Sequence, residues 1–218
     1  MGTVPNTESH RRREILNLLD RAYPGTVQEL CALSFETPFQ LLVATILSAQ
    51  CTDERVNATT PKVFEHFGTA QEMIDATPEE LESLIYSTGF YKNKAKNILA
   101  MTRVLLSKYD GKVPCDMESL TALPGVGRKT ANVVRSVAFA QPGLPVDTHV
   151  GRLSIRLGFT KEKDPVKVEM ELLQWVPPEE TGGLSLRLIL HGRSICLARK
   201  PRCDACILVD LCPSSRFA

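Results

Sequence analysis

Three helix starts are written into this chain in almost the same letters, and they constrain its fold more than any other feature. Thr37-Pro38, Thr77-Pro78 and Asp164-Pro165 each pair a side-chain acceptor at an N-cap with a proline at the first helical position. There the missing proline N–H costs nothing, and the fixed φ already suits a helix. After the first start, Phe39, Leu42, Val43, Ile46 and Leu47 recur at spacings of three and four, the period of one helix face. Thr77-Pro78-Glu79-Glu80 reads as a capping box, with Leu81, Leu84 and Ile85 behind it and Gly89 as the expected C-cap. The same signals predict further helices near 9 to 22, 53 to 66, 92 to 109, 129 to 139, 148 to 157 and 182 to 194. Period-two alternation is almost absent, so the expected fold class is all-α. Gln141-Pro-Gly-Leu-Pro145 marks a candidate crossover between domains.

The 218 residues, 43% of them hydrophobic, suffice to bury a real core in one large or two small domains. The longest apolar runs, such as Leu41 to Leu47, fall well short of the roughly 20 residues that cross a bilayer. An intracellular, cytoplasmic protein with no membrane partner is expected.

A net charge of +1 hides a strong segregation. From Glu36 to Tyr91 there are nine acids and two bases, whereas from Lys92 to Arg135 there are nine bases and three acids. One basic stripe on an otherwise acidic surface can hold a polyanion while limiting unproductive binding elsewhere. Charge alone permits a blander reading, two solvated helix faces of opposite sign.

Four of the seven cysteines crowd the last 23 residues as Cys196, Cys203, Cys206 and Cys212, spaced C-x6-C-x2-C-x5-C. Buried structural cysteines usually stand alone among apolar neighbours, but Arg199, Lys200, Pro201, Arg202 and Asp204 lie between these. Three more cysteines, Cys31, Cys51 and Cys115, scattered on segments read as helical, argue against an oxidised disulfide framework. A metal site is the favoured reading. Spacing alone does not choose between zinc and iron-sulfur, although zinc sites more often pair two C-x2-C knuckles and this chain has one. A metal-pinned loop from Leu197 to Arg202 would project Arg199, Lys200 and Arg202 as a basic finger suited to phosphate.

Leu123-Pro-Gly-Val-Gly-Arg-Lys-Thr-Ala131 lies between two helical segments. Gly125 and Gly127 can adopt positive φ and leave room for a phosphate to approach the main chain. Amides opening the next helix carry partial positive charge, so Gly125, Val126, Gly127 and Arg128 form a candidate non-specific backbone grip. The segment is neither a P-loop nor a dinucleotide fingerprint, because the glycine spacing is wrong and no strand precedes it.

Taken together, these motifs resemble the endonuclease III family of DNA glycosylases. Leu123 to Ala131 is similar to that family's helix-hairpin-helix, Val146-Asp-Thr-His-Val150 to its catalytic aspartate loop, and the C-terminal cysteine spacing to its [4Fe-4S] pattern. Leu47-Ser-Ala-Gln-Cys-Thr-Asp53 also resembles its substrate-pocket segment, and the likeness runs from about Arg13 to Cys212. The resemblance implies a six-helix domain near 31 to 140. A second domain, built from 1 to 30 and 141 to 218, would hold the cluster, with the active site in a cleft between the two.

By the same resemblance Lys129 is the nucleophile and Asp147 its partner. A neutral amine attacking the electron-poor C1′ of a damaged nucleotide forms a Schiff base, which permits β-elimination of the 3′ phosphate. A free lysine is only about 0.04% neutral at pH 7, so such a site must help its amine. Asp147 can stabilise positive charge developing on the sugar and take protons in later steps. Taken singly, Lys129 reads rather as a phosphate-binding lysine and Asp147 as a helix N-cap; catalysis is favoured only when the two are read jointly with the cluster motif. A base must leave the stack before excision; the family places Gln50 in the vacated space and a wedge at Phe90, where leucine is commoner. His149 and His191 read as structural, His191 as part of a helix cap before Gly192.

The implied activity is base-excision repair: removal of oxidised pyrimidines from duplex DNA, with cleavage of the abasic site, by a monomer carrying a [4Fe-4S] cluster. Two rivals remain at this stage. The related adenine glycosylases typically lack the lysine and carry an acidic residue in the early pocket helix, where this chain has Ser48-Ala49-Gln50. A non-enzymatic DNA-binding module with a structural zinc would use the hairpin and basic loop alone.

Overall fold

In the computed structural model, residues 7–217 are described and are helical without strands. The chain forms two compact units, one comprising residues 31–141 and the other the N-terminal residues to Leu30 together with Pro142–Ala218. No helix is long and apolar enough to cross a membrane among the described residues.

The N-terminal segment supplies α1 (Thr7–Ala22) and α2 (Val27–Leu30). Helix α1 buries Ile15, Leu16 and Leu19 on one stripe at spacings of three and four. Arg11, held by Glu8, donates to the carbonyls of Leu157 and Leu211 at 2.9 and 2.8 Å, tying this helix to the far end of the chain.

The continuous unit begins with α3 (Pro38–Leu47), which the Thr37 side chain caps by accepting from the Gln40 amide. The five residues spaced at three and four are all buried, and so are Leu41 and Ala44. Helix α3 is therefore a central rod rather than a half-solvated one. Next in the chain come α4 (Asp53–Phe67), α5 (Ala70–Met73), α6 (Pro78–Ile85) and α7 (Tyr91–Tyr109); α4 and α7 pack on α3, and α5 and α6 pack on those two. Thr77 and Glu80 form the capping box at α6, with both reciprocal bonds present. Gly89 does not cap α6 directly. A 3-10 turn, Tyr86–Thr88, follows the helix, and Gly89 ends that turn at φ 69°. The unit closes with α8 (Met117–Thr121) and α9 (Arg128–Ala138).

The second unit continues with α10 (Thr148–Arg156), α11 (Pro165–Leu172) and α12 (Thr181–Ser194). Asp164 caps α11 through the amides of Val166 and Lys167 at 3.0 Å. Its core joins Ile15 and Leu19 of α1 to Val150, Leu153, Leu172 and Leu188, with Trp175 packed on Phe159.

Composition patterns could not reveal the short helices α2, α5 and α8, because a single turn carries too little periodicity to register. Nor do Cys31, Cys51 and Cys115 lie on helices; each sits in a connection.

Candidate active site and cluster loop

The glycine hairpin is built from its apolar residues outward. Leu120, Leu123 and Val126 are buried, and the Val126 amide donates to the Leu123 carbonyl at 3.1 Å, folding the chain back on itself. Gly125 turns the corner at φ +78°, and an added Cβ would stand 2.8 Å from the Asn97 Cβ on α7. Gly127 behaves differently from expectation. It is extended at φ −89° and serves as the N-cap of α9 without needing positive φ. A Cβ there would meet nothing within 4 Å, so its absence leaves open space in front of the first amides of α9. No N-cap side chain bonds those amides, and no acid sits in the first turn, which leaves the positive end of the helix available to an anion. Arg128 and Lys129 are exposed on that first turn, while Ala131, Val134 and Val137 anchor the opposite face.

The two glycines therefore predict different outcomes. Gly125→Ala forces a Cβ into the left-handed region at about 1–2 kcal/mol, which lowers the melting temperature by roughly 3–6 °C, before the Asn97 clash is added. Gly127→Ala, whose Cβ meets nothing, leaves stability within about 0.5 kcal/mol. Thermal melts of both variants check this; equal melting temperatures would refute the assignment of the turn to Gly125.

Asp147 sits where a buried strap meets a helix. Leu144 and Val146 are buried, Ser185 Oγ donates to the Pro145 carbonyl at 2.6 Å, and the Gly143 amide donates to Thr181 Oγ1 at 3.1 Å. Helix α12 thus fixes the approach. Asp147 then caps α10, one carboxylate oxygen accepting from the amides of His149 and Val150 at 2.8 Å each. Capping and catalysis are compatible, since holding the carboxylate at a helix N-terminus also fixes its orientation. His149 Nδ1 lies 3.1 Å from the Arg152 guanidinium.

Gln50 and Phe90 share one unusual property. Gln50 lies in the turn after α3 at φ 54°, and Phe90 precedes α7 at φ 49°, both in the left-handed region without being glycine. Such residues cost on the order of 1–3 kcal/mol and persist where the surroundings over-determine them. Both side chains are exposed, Phe90 by 64%, so Phe90 is not a core residue.

Helix α10 also holds the cysteine loop. Arg152 donates to the carbonyls of Gly192 and Cys196, while Arg156 donates to those of Leu197 and Ala198 and to the Cys196 sulfur at 3.2 Å. Cys196, Cys203, Cys206 and Cys212 all line one pocket. Burial pushes the thiols of Cys206 and Cys212 up, and the charges of the neighbouring cysteines push in the same direction. Four thiolates persist together in such a place only against bound positive charge, the condition that a metal cluster meets. A four-iron cluster takes one thiolate per iron and spreads its ligands farther apart than one tetrahedral zinc does.

His191 is only 2% exposed, and burial holds it down to about 4, so it is neutral. Its Nδ1 lies 3.0 Å from the Tyr23 hydroxyl and its Nε2 3.4 Å from the Cys206 sulfur. Its side chain therefore packs against the cysteine site from inside α12, while its carbonyl closes the helix end by accepting from the amides of Ile195 and Cys196 at 2.9 and 2.8 Å. Arg199, Lys200 and Arg202 are exposed on the loop, with Lys200 at φ 52°.

The basic stripe is less uniform than its sequence. Lys94, one of its nine bases, is buried at 5% exposure and cannot meet a phosphate; a charge count sees residue type but not direction.

Comparison with known proteins accounts for this combination. Residues 43–178 match the HhH-GPD superfamily base excision DNA repair proteins, and residues 196–212 match the iron-sulfur binding domain of endonuclease III. The endonuclease III of Synechocystis is 50% identical over 96% of this chain and 95% of its own length. That of Escherichia coli is 45% identical over 93% and 94%. A solved non-covalent endonuclease III–DNA complex superposes with a TM-score of 0.87 at 43% identity, covering 98% of this chain and 97% of the other. A thermostable thymine-DNA glycosylase shares the fold at 21% identity with a TM-score of 0.83. With one superfamily matching residues 43–178 and relatives nearly half identical from end to end, the chain belongs to the endonuclease III family of base-excision DNA repair enzymes and carries the family's [4Fe-4S] cluster.

Proposed function

We propose that this enzyme excises oxidised pyrimidines from duplex DNA and cleaves the resulting abasic site by β-elimination, with Lys129 as nucleophile and Asp147 as its acid-base partner. The observation that carries the reading is the placement of an exposed lysine on the first turn of α9, beside an uncapped helix start and an open glycine. A phosphate bound by those amides brings the adjoining sugar to that turn.

The Lys129 amine attacks C1′ as the glycosidic bond breaks, and the departing base leaves with the bonding electrons and takes a proton. Loss of the amine proton and opening of the sugar give an iminium, which acidifies C2′. Removal of a C2′ proton then expels the 3′ phosphate. Asp147 stabilises the positive charge on the sugar and receives protons in the later steps. Gly125, Val126, Gly127 and Arg128 hold the backbone, Gln50 fills the space left by the extruded base, and Phe90 is the wedge. Cys196, Cys203, Cys206 and Cys212 would hold the cluster, which when bound cross-links the loop. Arg199, Lys200 and Arg202 then reach phosphates from it. The two units serve as the two domains, 31 to 140 and the joined termini. The enzyme acts as a monomer in the cytoplasm, on nucleoid DNA.

The test is to incubate the purified protein with a duplex containing one thymine glycol, add sodium borohydride and look for a covalent protein–DNA band. A band supports an amine nucleophile and a bifunctional enzyme. Heat-labile abasic sites without a band overturn the Schiff-base reading and leave Lys129 a binding role.

A further inference from the structure

We propose that Lys94 is a positioning residue for base extrusion, its ammonium tying the Gln50 turn to the Gly89-Phe90 turn so that both probes meet the helix in one register. The inference rests on the roles given above to Gln50 and Phe90.

Lys94 lies in the first turn of α7, one helical turn after Phe90, and its own amide donates to the Phe90 carbonyl at 3.1 Å. Its side chain runs inward. The ammonium donates to the carbonyl of Leu47 at 2.8 Å and to that of Thr88 at 2.8 Å. Leu47 ends α3, so its carbonyl has no partner within the helix, and a cation at that end is favoured by the helix dipole. Thr88 ends the 3-10 turn just before Gly89. One nitrogen therefore joins the backbone three residues before Gln50 to the backbone two residues before Phe90.

Each of these two segments holds a non-glycine residue in left-handed backbone, Gln50 at φ 54° and Phe90 at φ 49°. Left-handed residues relax unless their flanks are fixed. Nearby backbone bonds close each turn separately, from the Cys51 amide to the Ser48 carbonyl and from the Gly89 amide to the Tyr86 carbonyl. The Lys94 ammonium adds the tie between the turns. Burying a lysine costs desolvation, and burial does push its amine below the ordinary lysine value. An apolar residue would fill the same space without that cost, but it could not bond two carbonyls at fixed distance. The charge therefore supplies direction rather than volume. Holding both probes before DNA arrives means that less ordering remains to be done when the base leaves the stack.

The experiment compares Lys94→Met with the parent enzyme in single-turnover cleavage of an abasic site, once in a duplex and once in a single strand. A single strand has no stack to open and no vacancy to fill, so it reports the Lys129 chemistry and correct folding. Lys94→Met is expected to slow duplex cleavage on the order of tenfold, the loss of a charge-assisted bond, while single-strand cleavage stays within about twofold. On a duplex with 2-aminopurine beside a reduced abasic site, the fluorescence rise on binding falls in parallel. Because Lys94 acts through Gln50, the double variant Lys94→Met/Gln50→Ala should lose less than the product of the single losses. Equal losses on both substrates would mean a purely structural lysine and overturn the proposal. So would an unchanged Lys94→Met beside impaired Gln50→Ala and Phe90→Ala. If Gln50→Ala and Phe90→Ala themselves leave duplex cleavage intact, the extrusion roles fall and the proposal falls with them, a pattern distinct from the first two. Should Lys94→Met fail to fold, Lys94→Gln, which keeps an amide donor but not the reach to both carbonyls, is read in the same assays by the same criteria.

Discussion

Lys129→Ala should abolish the borohydride-trapped protein–DNA band and lower strand cleavage by at least three orders of magnitude, about 4 kcal/mol of barrier. The size follows from the chemistry. Without the amine there is no iminium to acidify C2′, and no neighbouring side chain replaces a covalent electron sink. Binding should change far less. Lys129 is exposed on the first turn of α9, and its loss leaves the helix start and the two glycines before it, the proposed backbone grip, in place. Losing one cation near a phosphate costs about tenfold or less in affinity, and about one unit in the slope of log K against log salt. Stability should be unaltered within about 0.5 kcal/mol, because the side chain buries nothing. The contrast between lost trapping and kept binding is what separates a nucleophile from a phosphate contact. A band that persists in Lys129→Ala would show that another amine forms the Schiff base.

The second large effect is expected from Cys206→Ser. The parent protein should be yellow-brown as purified, and the variant should lose that colour together with its iron. The four cysteines line one pocket, and the loop between them contains only 3-10 turns, Cys203–Ala205 and Val209–Leu211. Beyond ligation, the segment is held by the guanidinium bonds from Arg152, Arg156 and Arg11 and by Leu208, which is buried in the core of the unit. Ligation energy is therefore folding energy here. A loss of roughly 3 kcal/mol would lower the melting temperature by about 10 °C in a chain of this size. Arg199, Lys200 and Arg202 are exposed on the same loop; once it loosens, the salt slope of DNA binding should fall by about 2 to 3 units, one per lost phosphate contact. Melting, iron analysis and a salt titration read these three consequences independently. A colourless parent protein with stoichiometric zinc would defeat the cluster, and a Cys206→Ser protein of unchanged colour and stability would defeat the ligand assignment.

Local chemistry made much of this protein legible from its letters. The Thr37, Thr77 and Asp164 caps form the hydrogen bonds that their sequences specify, because a cap and the amides it satisfies lie within three residues of each other. The all-α class followed from periodicity over ten or more residues, and the cysteine loop from spacing that no core requires. The motifs around Lys129 and Asp147 could be named for the same reason, each being a short continuous segment.

Tertiary structure alone decided which of the hairpin's two glycines is conformationally necessary, since Gly125 is pinned by Asn97 of α7 while Gly127 faces open space. It alone turned Lys94 inward, out of a stripe that charge counting had treated as one surface, and brought its nitrogen to carbonyls 47 and 6 residues away. It also set the His191 side chain beside Cys206, at a residue whose carbonyl takes part in the expected helix cap. In each case the deciding partner is distant in sequence. A chain specifies its local backbone preferences residue by residue, but burial, close approach and the pairing of polar groups arise only when separate segments compete for the same space.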